Sequence, residues 1–368
     1  MSDDAAGSTR AEQGLSGADQ QVATFEEGHG GPVRSIQGFL HLYPTIIPFV
    51  VLIIGIIVFA IITPTRFFSP LNLSIVLQQV TIVGILAMAQ TLIILTAGID
   101  LSVGIIMILG TVVMGRTAVV FGAPLWLAFS LGLFVGFACG AVNGLIVTLL
   151  RLPPFIVTLG TLSIFGAINV LYSRSETIRQ QEIEAVAPFL QWTGTTIRLW
   201  SDLGVELPFL RGWVLTYGSI LMVVIALVLS YILTRTAFGR HVYAVGDDPD
   251  AARLSGISVT RTLIGVYAFA GFICAVASWV FIGRVGSVSP NAGLTLNLDS
   301  ITAVVIGGTS LFGGRGSIIG TLLGALIVGV FRNGLALSGL DVVWQDLTVG
   351  ILIIVAVTID QWIRRISS

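Results

Sequence analysis

The chain has 368 residues, 55% of them hydrophobic and only 10% charged, with a formal net charge of −1. A soluble domain carries about 25% charged residues, so a soluble globular fold is excluded, and the balanced charge speaks against nucleic acid as a partner. All 18 basic residues are arginine. Without a lysine the chain can build neither a Walker-type phosphate loop nor a Schiff base.

Three tracts hold most of the charge: 8 charged residues lie in 1–42, 9 in 172–213 and 7 in 234–261, which leaves 13 for the other 256 positions. Stretches that poor in charge cannot be solvated. At about 20 residues per span they make room for some ten membrane helices. The predicted spans are 44–62, 76–97, 103–121, 125–149, 155–171, 214–233, 262–283, 300–312, 317–337 and 346–363. The fold class is therefore an all-α integral membrane protein with about ten transmembrane helices, glycine-striped packing and broken helices. The eighth span is short and glycine-rich, which marks it as broken or re-entrant.

Residues 1–42 are polar, acidic and without hydrophobic period, so they read as a disordered tail, with 43–365 as the transmembrane domain. No removable signal peptide precedes the first span. With a cytoplasmic tail, the even number of spans and the arginine distribution place 234–261 inside and the long 172–213 loop outside.

The fourth span carries Gly132, Gly136, Gly140 and Gly144, and the ninth opens on Gly316, Gly320 and Gly324. Glycines at intervals of four make a smooth stripe on which two helix backbones can approach closely. Cys139 and Cys274 stand singly in apolar stretches, read as buried thiols rather than a disulfide or a metal cluster.

Four features are candidates for function. Asp100 and Ser102 sit between the second and third spans, either capping a helix break or lining a polar passage, since an acid at membrane depth tends to face a cavity. Asp299 and Thr302, at the eighth span, carry the same two readings. Asn143, Asn169, Asn333, Thr158, Thr161, Gln78, Gln79 and Gln90 are interhelical hydrogen-bonders or neutral contacts for a hydroxyl-rich solute. Two interior acids and no intramembrane histidine make a poor proton relay. The run 307–316 has the glycine spacing of a phosphate loop, but Gly314 stands where lysine is needed, so it reads as a broken or bent membrane helix with close packing. The polar tract 235–257 predicts a short helix starting at Asp248 or Pro249 and stopping at Gly256, suited to docking on a partner, or else a solvated loop. His241 reads as a surface residue. No catalytic constellation and no metal site can be assembled, so the chain is not read as an enzyme.

The motifs Gly98-Ile99-Asp100-Leu101-Ser102-Val103-Gly104, Pro153 to Thr161, Gly239-Arg240 with Gly246 and Ala251 to Ile257, and Ile306 to Leu311 through Gly313 to Gly316 resemble the permease subunits of bacterial ABC importers for monosaccharides, of ribose and xylose type, from about residue 44 to 363. Within that family Ser173 to Arg179, Gly246-Asp247-Asp248 and Asp360 to Arg365 are most similar to fructose-import permeases. The resemblance implies a cytoplasmic-membrane subunit that pairs with a second permease subunit, takes sugar from an extracytoplasmic binding protein, and has no cofactor of its own because partner subunits use the ATP. It also implies ATPase coupling through Gly239, Arg240, Gly246, Asp250, Ala251, Ala252 and Gly256. Asp100, Ser102, Asn143, Thr158, Asp299 and Thr302 are the expected substrate-passage residues. Trp192, Trp200 and Trp213 would meet the binding protein or the membrane surface. The competing reading is an ion-coupled secondary transporter using Asp100 and Asp299.

Overall fold

The computed structural model describes residues 46–364 with the exception of 200, 203, 205–210 and 294. The tail predicted over 1–42 and Trp200 lie outside the described residues. The chain forms α1 (Ile46–Ile62), a short α2 (Pro64–Phe67), α3 (Pro70–Leu95), α4 (Val103–Gly115) continued by a π-turn over Arg116–Val120, α5 (Leu125–Leu149) and α6 (Pro154–Ser173). Next come α7 (Gln180–Val186), a 3₁₀ turn (Pro188–Gly194), β1 (Thr196–Arg198), β2 (Val214–Thr216), α8 (Tyr217–Arg235), α9 (Ala237–Asp247) and α10 (Pro249–Leu254). The chain continues through α11 (Val259–Val285), α12 (Leu296–Ile306), α13 (Ile318–Leu337) and α14 (Val342–Arg364).

Among the described residues, seven helices are long and apolar enough to cross a membrane: α3, α4 with its π-turn, α5, α6, α8, α11 and α13. Of the other three expected spans, two fall on shorter apolar helices, Ile46–Ile62 and Leu296–Ile306, and the tenth lies within α14. Proline and hydroxyl caps set several boundaries. Ser69 precedes Pro70 and its hydroxyl accepts from the Asn72 N–H, so α3 starts six residues before the expected 76. Thr216, Thr236, Ser258 and Ser317 cap α8, α9, α11 and α13 in the same way.

The largest boundary error is at the eighth span, which runs over 296–306 rather than 300–312. Gly307 ends it, and Gly308 turns the chain with φ +83°. Eleven residues rise about 16 Å, roughly half of a bilayer core. It is thus a broken helix, as expected, and the run 307–317 is loop.

Burial shows which helices are central. In Val103–Val120, 89% of the residues are buried, against 28% in an apolar 18-residue stretch of Leu125–Leu149 and of Pro154–Ser173. The glycine stripe of α5 packs closely on α11. A methyl on Gly140 would overlap the Tyr267 carbonyl oxygen of α11, and methyls on Gly136 and Gly144 would lie 2.6 Å from the Gly271 carbonyl oxygen and 2.9 Å from Ile264 Cα. In the second stripe Gly320 and Gly324 of α13 meet the backbone of Gly307 and Ala303, whereas Gly316 sits in the preceding loop against Thr309. Cys139 and Cys274 are buried and unpaired.

The 172–213 loop is partly a folded cap. Ile183 and Leu190 are fully buried, β1 pairs antiparallel with β2, and Ile178 exchanges two backbone hydrogen bonds with Val288 beyond α11. Phe129, Phe189, Trp192, Tyr217 and Trp279 stack into one aromatic cluster there.

Candidate functional site

Two regions gather the singled-out residues. The first is the break between α3 and α4. Helix α3 ends at Leu95, Ala97 takes a left-handed φ of +58°, and the chain re-enters helix at Val103. Asp100 Oδ1 accepts from the Ser102 N–H and from Ser102 Oγ, both at 2.6 Å. Asn143 of α5 donates from Nδ2 to Ser102 Oγ at 2.8 Å and to Asp100 Oδ2 at 3.3 Å. Thr158 of α6 donates to the Ile99 carbonyl at 3.0 Å. With its amide oriented to suit its neighbours, Gln90 of α3 bonds both the N–H and the carbonyl of Asp100 at 3.1 Å. Asn297 of α12 donates to the Leu101 carbonyl at 2.7 Å and accepts from the Gly104 N–H.

Four of the six expected passage residues, Asp100, Ser102, Asn143 and Thr158, therefore share one cluster. It is closed: Asp100 is 2% exposed and the other three are fully buried. The capping expectation needs correction, because the Ser102 side chain makes no cap bond to α4 and Asp100 instead closes a turn onto Ser102. That turn satisfies backbone groups at a break that lipid cannot solvate.

Asp299 and Thr302 lie apart on α12. Asp299 is neither an N-cap nor an isolated acid: it sits in the first turn of α12, where Thr295 is the N-cap. It pairs with Arg332 of α13 at 2.7 Å, and the same guanidinium nitrogen reaches Asp346 of α14 at 3.0 Å. Thr302 bonds the Leu298 carbonyl within its own helix. Arg332 is the member that sequence reading passed over. Its signal was available, since a lone arginine within an apolar span has to find a carboxylate or a carbonyl.

The second region is the tract 235–257. Gly239, in the first turn of α9, packs against the end of α8, where a methyl would overlap the Leu233 and Ile232 carbonyls. Arg240 and His241 are exposed. Asp248 caps α10, accepting from the Asp250 and Ala251 N–H groups at 2.9 and 3.0 Å, as expected for a helix opening on Pro249. The helix ends with Gly256 at φ +83°, its N–H on the Arg253 carbonyl and the Ile257 N–H on the Ala252 carbonyl, a Schellman ending. On this helix Asp250 and Ala251 are exposed, Leu254 is 91% exposed, and Ala252 is buried against the bundle. Gly246, one residue before the end of α9, is buried. Tyr243 of α9 donates to the Gly316 carbonyl at 2.8 Å, and burial raises its phenol above the ordinary range, so it stays a donor.

A family model described as the permease component of branched-chain amino acid transport systems matches residues 72–357, which takes in both regions. The chain belongs to this permease family. Within it, a fructose import permease of Rhizobium meliloti is 51% identical over 97% of this chain and 96% of the relative. A ribose import permease of Bacillus subtilis is 39% identical over 85% of this chain and 92% of its own length. A xylose transport permease of Escherichia coli is 34% identical over 83% and 88%. No solved structure matches the chain. Membership in the family agrees with the seven long apolar helices: this is a multi-pass membrane permease.

Proposed function

We propose that this permease is the membrane-spanning subunit of an ATP-driven importer for a monosaccharide, with fructose as the sugar, working beside a second permease subunit in the bacterial cytoplasmic membrane. The identity to sugar import permeases along nearly the whole chain supports the substrate class. The observation that carries the coupling is α10: a capped helix of six residues that presents a 91% exposed leucine, Leu254, beside exposed Asp250 and Ala251. An apolar side chain so bare on a polar helix is suited to insertion in a partner's groove. The chain has no lysine for a phosphate loop. In this reading the partner at α10 is a separate ATP-binding subunit, the 235–257 tract is cytoplasmic, and the 172–213 cap lies opposite, facing a sugar-binding protein.

Asp100, Ser102, Asn143 and Thr158 at the α3–α4 break, with Asp299 and Thr302 on the broken helix α12, bound the passage, and access switches when these elements rearrange. Weak contacts suffice there, because a tight site would hold the sugar back. The ion-coupled alternative is disfavoured, since Asp299 is held by Arg332. Leu254→Glu tests the docking: the variant accumulates normally, because the side chain is exposed, but loses the ATPase subunits on copurification and loses uptake. Retention of both in this variant would overturn the docking.

A further inference from the structure

Near the end of α9 three chain segments meet largely backbone on backbone, with only the Asp247 side chain and the Ala97 Cβ close by. A methyl added to Gly246 would overlap the carbonyl oxygen of Leu95 and would stand 2.7 Å from the Gly314 nitrogen. The Gly314 N–H donates to that same Leu95 carbonyl at 3.0 Å. A methyl on Gly313 would lie 2.5 Å from the Gly246 carbonyl oxygen and 2.9 Å from the Ala97 nitrogen, and one on Gly314 would lie 3.0 Å from Asp247 Cα. Gly313 and Gly314 hold φ of +84° and +70°, which let the loop present its backbone here. The Tyr243 hydroxyl fastens α9 to the loop a second time, at the Gly316 carbonyl.

Each segment leads to a helix break. Leu95 ends α3, and five residues further on is Asp100, whose backbone Gln90 ties back to α3. The 307–316 loop begins where α12 ends at Ile306. Backbone packed on backbone has no rotamer with which to absorb a displacement, so the three segments shift together.

We infer that the Gly246–Leu95–Gly314 crossing is the point through which movement of α9 is delivered to both helix breaks, with Gly246 and Tyr243 as positioning residues of transport. Gly246 is buried, so it acts beneath the docking surface and not on it. The inference rests on the proposal that the 239–257 tract receives the ATPase stroke.

The test uses the assembled transporter in proteoliposomes, with sugar uptake and ATP hydrolysis measured on the same vesicles. In Gly246→Ala the added methyl wedges the crossing apart. The ATPase subunits remain bound on copurification, and sugar moved per ATP hydrolysed falls at least tenfold. Tyr243→Phe removes one hydrogen bond and lowers the same ratio two- to fivefold, and it decides the matter alone where Gly246→Ala does not accumulate. An unchanged sugar-to-ATP ratio in Tyr243→Phe, or in an assembled Gly246→Ala complex, would overturn the inference. Failure of the underlying docking proposal reads differently: Leu254→Glu would then keep its ATPase subunits.

Discussion

The Arg332 ion network allows a stability prediction with a built-in control, because one guanidinium serves two carboxylates of very different exposure. Side-chain exposure is 5% for Asp299, 21% for Arg332 and 48% for Asp346. Replacing Arg332 by Gln strands the Asp299 carboxylate away from water. Loss of one partner from a buried pair costs roughly 3–5 kcal/mol, and the partial exposure of Arg332 puts this case near the lower end, about 3 kcal/mol. Replacing Asp346 by Asn removes a carboxylate that water already solvates, worth about 0.2–1 kcal/mol. The double variant Arg332→Gln, Asp299→Asn leaves no buried charge and recovers most of the loss. Equilibrium unfolding of the purified permease in mixed micelles, titrated with a denaturing detergent, reads all four proteins. Equal losses for Arg332→Gln and Asp346→Asn, or a double variant no better than Arg332→Gln, would refute the reasoning.

Two further outcomes follow from glycine positions. Gly140→Ala forces α5 away from the Tyr267 carbonyl and costs about 2–3 kcal/mol or more, whereas Gly166→Ala, with nothing within 4 Å of the added methyl, is neutral or slightly stabilising in the same unfolding assay. Gly256 also has open space around it, and only its φ of +83° constrains it. Gly256→Asn, which tolerates the left-handed region, should keep most uptake while Gly256→Val loses it. Equal loss in both would mean that a partner, and not the backbone, sets the requirement there.

Much of this architecture was legible in the sequence because lipid imposes simple demands. Apolar length located the spans, and glycines at intervals of four marked the face of α5 on which another helix packs. Asp248-Pro249 and Gly256 bracketed α10 through capping chemistry that acts over a few residues. What sequence could not show was which distant groups meet. Asp299 looked isolated because its partner Arg332 lies 33 residues on, and Asn297, which sews α12 to the Leu101–Gly104 break, is 196 residues from Leu101. Nor does spacing say that Ala252 is buried against the bundle while Leu254 faces out, a distinction set by how α10 is seated. The crossing at Gly246 was invisible for the same reason, since its three glycines derive their meaning from Leu95.

The central claim, ATP-driven import of fructose, is tested most directly in vesicles holding this permease, its ATP-binding subunits and its sugar-binding protein. Labelled fructose should accumulate when ATP is enclosed on the side of α10, and should stop when ATP or the ATPase subunits are withheld. Accumulation that persists without ATP and follows an imposed ion gradient would contradict it.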